Sequence, residues 1–423
     1  MVYFLYVIVC GINFGFYKPS VGGVTDGLYL FLLLITAPGY LRQRKRLVSK
    51  SFRFVEAAWV LFLLYFGARL ITDRAFVSHV TVLNLRIIRP FVLFFPTVAI
   101  LDNPARIKQC ENWALLFAVL GSILVIAQSI YGLTPLFDGS WYNIGEWAGN
   151  KSMIGPIARV NIPIGNWVAF MFVSLSALFL VKKNITLIPV LGFLLVPILI
   201  TYFRSLWLAI AISIFLQSLI LKREHSFDVG KFLKITGSIV LVGIFVYYLL
   251  PLVGGKEIWS EFSDRLIRGT MDIRSSTGTF GSRINTIITG LAIWIEEPIF
   301  GQGYGIVADG SMPYLVDVGF VYILAMFGII GLILNLFLFG SHIFAGIACA
   351  NRAQRLGKQK AVIAGIILAG ITVCFFIYQQ WFSPYSTSIL GIASAFAFCN
   401  LADIPSSGDN KIDIPSPAPI ANE

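Results

Sequence analysis

Long apolar runs recur along this chain, and their length restricts its fold more than any other feature. Segments almost free of charge fall at about 1–16, 25–41, 54–72, 87–103, 113–133, 163–181, 185–203, 205–221, 235–252, 314–341, 361–382 and 386–402. Most are close to 20 residues, the length that carries a helix across roughly 30 Å of hydrocarbon. In lipid every backbone amide must be satisfied within the protein, which leaves helices or closed barrels. The runs are continuous rather than alternating, so they predict helices. Composition agrees: 57% of residues are hydrophobic and 13% charged, whereas water-soluble domains carry about 25% charged residues. The expected fold is an all-α integral membrane protein with about twelve transmembrane helices over residues 1–402, followed by a short cytoplasmic tail, 403–423, that reads as disordered.

The first run begins at Met1 with no small-residue cleavage site behind it, and is expected to stay as a helix rather than leave as a signal peptide. Five cysteines, Cys10, Cys110, Cys349, Cys374 and Cys399, fall in no spacing that suggests zinc or haem. None lies in an outer loop of the topology below, so no disulfide framework is expected. Neither metal, cofactor nor nucleic acid is expected as a ligand.

Charge sets the orientation. The linker after the second run carries Arg42, Arg44, Lys45, Arg46, Lys50 and Arg53, and cytoplasmic loops carry the Lys/Arg excess. With that linker inside, four later clusters also fall inside: Arg106 with Lys108, Lys182 with Lys183, Lys222 with Arg223, and Arg352, Arg355, Lys358 and Lys360. Twelve crossings place both termini in the cytoplasm. The outer side receives Lys18, Arg69, Arg74, Arg86, Arg89, Lys151, Arg159, Arg204, Lys256, Arg265, Arg268, Arg274 and Arg283. Ten of these thirteen are arginine, against eight of nineteen inside. Arginine's planar fork grips phosphate bidentately, so this bias suits a phosphorylated ligand on the outer face. The plainer alternative is pairing with loop acids such as Asp264 and Asp272, or snorkelling to headgroups.

One outer loop, about 253–313, is too long for a connector, and such loops are usually functional or disordered. Within it Ser282–Glu297 has helical spacing: Ile284, Ile287, Ile288, Leu291 and Ile295 fall on one side. Pro298, Gly301, Gly303 and Gly305 then end the helix. A helix of this kind can lie along the membrane surface with its apolar face down. Arg283 is expected in its first turn, where free amides and the helix dipole favour an anion, as at a diphosphate. Alternatively the helix is a lid that only packs on the bundle. A second outer loop, about 134–162, holds Trp141, Tyr142 and Trp147, which suit either sugar stacking or an interfacial aromatic belt.

The order of several short motifs resembles a known family. Thr201-Tyr202-Phe203-Arg204-Ser205 stands at the outer end of a helix, and Gly281-Ser282-Arg283 follows in the long loop. Next come Glu297-Pro298-Ile299-Phe300-Gly301-Gln302-Gly303-Tyr304-Gly305, Asp317-Val318-Gly319, and Phe327-Gly328-Ile329-Ile330-Gly331-Leu332. This succession, clearest over about 195–340, is similar to that of the O-antigen polymerase and O-antigen ligase superfamily of bacterial surface-polysaccharide enzymes. The resemblance implies a helical C-type glycosyltransferase in the bacterial inner membrane, with its active site facing the periplasm or cell exterior. It implies undecaprenyl-diphosphate-linked sugars as substrates, without nucleotide sugar or metal. Diphosphate contacts in such enzymes come from outer-face arginines, a role that transfers by motif to Arg204 and Arg283 and more loosely to Arg159; the loop residue Arg268 is counted with them. A partner controlling chain length is implied as well. Ligases of the family usually carry a histidine before the helix after the large loop, and residues 313–319 hold none, which favours a polymerase and leaves the base open. Asp317 is the first candidate for that base, with Glu296 and Glu297 as alternatives.

Two other readings remain in play: a ligase that transfers finished glycan, and a flippase or transporter. Ion-coupled transporters place ionisable groups near the membrane midplane. Here Asp26, Glu56, Arg69, Arg89, Asp102 and Asp317 lie only toward the ends of apolar runs, and no pair of broken helices in matching halves is visible. His79, in a short outer loop, is expected to be incidental.

Overall fold

The computed structural model describes residues 3, 5–7, 22–47, 49–72, 93–131, 153–154, 157–158, 164–200, 204–222, 278–303, 319–378 and 384–401. Over these the chain is helical apart from a minimal hairpin. In order come α1 (Gly22–Arg46), α2 (Lys50–Thr72), α3 (Phe94–Ile100) and α4 (Pro104–Tyr131), then strands β1 (Met153–Ile154) and β2 (Ile157–Ala158). After them follow α5 (Ile164–Lys182), α6 (Leu187–Ile200), α7 (Arg204–Lys222), α8 (Gly278–Glu296), α9 (Gly319–Arg355), α10 (Gln359–Tyr378) and α11 (Pro384–Leu401). Among the described residues five helices, α2, α4, α5, α9 and α10, are long and apolar enough to cross a membrane. Three shorter apolar helices, α6, α7 and α11, stand beside them. The protein is a helical, multi-pass membrane protein. The first expected run beyond residues 3 and 5–7, and the run 235–252, lie outside the described residues.

Local sequence explains where several helices start and stop. Ser49 caps α2 by accepting from the Phe52 amide at 3.2 Å, and Asn103 caps α4 by accepting from the Arg106 amide at 2.9 Å. Pro104 then occupies the first helical position of α4, where a missing N–H costs nothing. The run expected at 314–341 continues as helix to Arg355, because Arg352 and Arg355 complement the negative end of the helix dipole. Beyond it the Lys358 amide closes back onto the Ala353 carbonyl at 2.9 Å, a Schellman-type stop at Gly357.

Helix α10 is the central stave, packed against α5, α7, α9 and α11. Of its span 78% is inside the protein, against 22% for α4, which stands at the periphery. In lipid the hydrophobic effect does not drive helices together, so close contact between small residues must. The α9–α10 seam is built that way. A Cβ added at Gly346 would lie 2.7 Å from the Gly365 carbonyl oxygen and 2.8 Å from the Ala369 amide. Polar side chains within the bundle mostly bond their own helix: Ser122, Ser213, Thr372 and Ser394 each donate to the carbonyl four residues earlier. Gln217 instead ties helices together, donating to Val173 O on α5 at 3.1 Å while lying against Gly370 of α10.

Candidate functional site

Two of the motifs that carry the family resemblance meet in space. Helix α9 is interrupted at Gly328, whose φ of 63° and ψ of −164° belong to a backbone region essentially reserved for glycine. An interruption leaves carbonyls of the preceding turn and amides of the following turn without helical partners. The segment 297–303 supplies them. Gln302 N donates to Ala325 O at 2.9 Å and Gly303 N to Met326 O at 2.8 Å. From the other side, Ile329 N donates to Pro298 O at 3.0 Å and Ile330 N to Ile299 O at 3.4 Å. The last exposed carbonyl, Phe327 O, accepts from the Tyr65 hydroxyl of α2 at 2.7 Å. Five backbone groups at the break thus find partners outside their own helix, as non-helical backbone within a membrane domain requires.

Close approach dictates the residue types. A Cβ on Gly328 would lie 2.2 Å from Ile299 O, and one on Gly301 would lie 2.5 Å from the Gly328 amide. Arg69, one helical turn beyond Tyr65, donates through Nη2 to Gly301 O at 2.9 Å. The Phe66 ring packs 4.3 Å, centroid to centroid, from Phe327. In the sequence Arg69 is only one of many outer cations; in the fold it holds the bracket's backbone. The spacing Tyr65–Arg69, four residues on one helix face, is the available signal.

Helix α8 leads into the bracket and packs on α9. Its inward face carries buried Thr286 and Gly290 with half-buried Ile293, while Ile288 and Ile295 on the opposite face are 61% and 69% exposed. The expected apolar stripe is thus split: Ile288 and Ile295 face away from the bundle, whereas Ile284, Ile287 and Leu291 are half-buried and Ile287 packs against the core. One detail is corrected: α8 starts at Gly278, not Ser282, so Arg283 lies in its second turn rather than its first. The free first-turn amides are at 278–281 and are not Arg283's immediate neighbours. Arg283 is half-buried and shares the edge of the inward face with Thr286.

Glu296 and Glu297 are exposed. Gln302 donates its side-chain amide to the Glu296 carboxylate, and Trp294 Nε1 donates to Pro298 O at 2.9 Å. Both contacts lock the turn out of α8, a structural role for Glu296 that stands beside its candidacy as a base. Arg204 is the first residue of α7. Arg159, Arg268 and Asp317, with Thr201–Phe203 and the loop aromatics, lie outside the described residues. Among the described residues no three His, Cys, Asp or Glu side chains come together.

Two features are not legible in the sequence. The first is His342, fully buried on α9 well inside an apolar helix. Its Nδ1 lies 2.6 Å from Leu338 O, its ring meets Trp59 edge-on at 5.4 Å, and its Nε2 has no hydrogen-bond partner among the described residues. Formal charge is the sequence signal at membrane depth, and a neutral imidazole carries none. The second is a carboxylate knot where α1 meets α2. Glu56 accepts from Arg44 Nε at 2.5 Å, from Arg53 Nη1 at 3.0 Å and from the Tyr40 hydroxyl. Sixteen residues, or roughly 24 Å of helix, separate Arg53 from Arg69 along α2. The basic turn and the bracket therefore stand at opposite ends of the same helix.

No family model matches this chain, and neither does any curated protein.

Proposed function

We propose that the chain is a glycosyltransferase that polymerises undecaprenyl-diphosphate-linked oligosaccharide repeat units into O-antigen, capsule or exopolysaccharide. One observation carries the reading. The described part of one stretch of the family resemblance, 297–303, and the break within another, 327–332, form a single backbone-matched unit at the end of α2 remote from the basic turn.

In this reading twelve helices cross the bacterial inner membrane and the bracket faces outward. One lipid-linked chain is the donor and a second lipid-linked unit the acceptor, with no metal or other cofactor. An acceptor hydroxyl attacks the donor's anomeric carbon, a glycosidic bond forms, and the bond from that carbon to the diphosphate oxygen breaks. The hydroxyl proton passes to a carboxylate, Asp317 by preference, and from there to water. Arg204 and Arg283, with Arg159 and Arg268, meet the charge that develops on undecaprenyl diphosphate as it leaves. Loss of one such preorganised contact lowers the rate by about 10²–10³. A chain-length regulator is the expected partner.

Incubation of the purified protein with lipid-linked repeat units tests this directly. A ladder of longer lipid-linked glycans is the expected product, and Arg204→Ala or Arg283→Ala should abolish it with the protein still inserted and abundant. No ladder until a lipid A core or protein acceptor is added would make the protein a ligase. Full activity in both arginine variants would discard the site.

A second reading, a flippase or transporter for lipid-linked sugars, gains from His342 and from the interruption of α9. Intramembrane ionisable residues and broken helices mark transport paths more often than they serve packing. No second interruption of this kind stands among the described residues. Movement of a labelled lipid-linked sugar across vesicles containing the purified protein, without a ladder, would replace the polymerase reading by this one.

A further inference from the structure

The turn joining α1 to α2 concentrates charge that the described residues leave largely unneutralised. Six cations lie between Arg42 and Arg53, and the nearest carboxylate, Glu56, is occupied by Arg44 and Arg53. The remaining four, Arg42, Lys45, Arg46 and Lys50, are exposed and make no ion pair among the described residues. Their position relative to α1 gives them a partner class. Tyr29, Leu32, Thr36 and Gln43 form the buried face of α1. On the opposite face Leu30, Leu34, Pro38 and Leu41 stand at helical spacing, with Leu34 63% and Leu41 57% exposed. Continuing that stripe by one turn reaches Lys45, with Arg42 and Arg46 together on one flank of it. An apolar strip that turns away from the bundle and ends under a cluster of cations has the two-part character of a phospholipid.

We propose that the α1–α2 turn is a binding site for an anionic glycerophospholipid, its phosphate held by Arg42, Lys45, Arg46 and Lys50 and an acyl chain laid along Leu30, Leu34 and Leu41. Soluble anions meet the four charges but not the stripe, and a zwitterionic lipid meets the stripe with no net charge. The site requires only that the chain spans a membrane and is independent of the activity proposed above. Basic residues beside a membrane contribute about fivefold each to the affinity for anionic lipid.

The test is native mass spectrometry of the detergent-purified protein titrated with phosphatidylglycerol or phosphatidylcholine. Phosphatidylglycerol should bind at least about tenfold more tightly. The combined variant Arg42→Gln, Lys45→Gln, Arg46→Gln and Lys50→Gln should bring the two lipids within about twofold. These side chains have no ion pairs to lose among the described residues, so its thermal midpoint should match that of the parent. Lys182→Gln with Lys183→Gln, at the exposed turn after α5, should leave the preference intact. Equal loss in that control pair would mean the preference is spread over the whole surface, and would overturn the site. Displacement of phosphatidylglycerol by millimolar inorganic phosphate, or tighter binding of a short oligonucleotide, would overturn the lipid as occupant.

Discussion

Gly328 and His342 show how differently two buried positions on one helix can be constrained. At Gly328 both the dihedral angles and the 2.2 Å that would separate an added Cβ from Ile299 O exclude anything larger. Gly328→Ala should therefore cost about 3 kcal/mol or more, read as a fall in the thermal midpoint of the detergent-purified protein. Gly340, on the same helix, has nothing within 4 Å of its added Cβ. Gly340→Ala should change stability by less than about 1 kcal/mol, and equal midpoints for the two variants would refute the interruption. His342 supports the opposite expectation. With Nε2 lacking a partner among the described residues, replacement by an apolar group of similar size removes an uncompensated polar atom, so His342→Leu should be neutral or stabilising. Loss of function in a variant at least as stable as the parent would place His342 in the function rather than the packing. Neither position declares its role in sequence: a glycine in an apolar run reads as helix-tolerated, and one imidazole hardly alters hydropathy.

The bracket is the element where local and long-range order meet, and it shows what sequence can and cannot supply. Expecting a helix to end at Pro298 and the following glycines needs only propensity and periodicity, and α8 does end at Glu296. That this turn inserts into a gap in another helix is not legible. The gap exists only because the turn fills it, and hydropathy averages 314–341 into a single span. Tyr65 and Arg69 hold the two halves from outside, through Phe327 O and Gly301 O respectively. Tyr65→Phe should cost about 1 kcal/mol and Arg69→Gln about 1.5–3 kcal/mol, the range for hydrogen bonds with a charged partner. Because both bonds secure one unit, their double variant should depart from the sum of the singles by at least about 0.5 kcal/mol. Strict additivity in thermal unfolding would mean that segment 297–303 and the break in α9 are stabilised separately.

At the scale of the whole molecule, charge and geometry agree along two helices of the bundle. α2 runs from the Arg53–Glu56 knot to the Arg69–Gly301 contact, and α9 runs from the Gly328 interruption to Arg352 and Arg355. The second path is 27 residues, roughly 40 Å of helix, more than enough to cross the hydrocarbon. Packing of α2 against α9 therefore sets the bracket at one end of both and the basic ends together at the other. Sequence charge alone separates these groups by sorting loops between the two sides, without knowing which helices touch. The packed pair turns that sorting into a geometric demand. Single cysteines replacing exposed Lys45, Lys183 and Lys360 should react with a membrane-impermeant maleimide from one face only, and one replacing exposed Glu297 from the other. The four native cysteines among the described residues are buried or half-buried, so labelling of the parent sets the background. In intact cells with an opened outer barrier, the polymerase reading requires Glu297→Cys to label and the three lysine positions to stay protected. The reverse pattern would keep the bundle but turn the bracket toward the cytosol, and would overturn the polymerase reading.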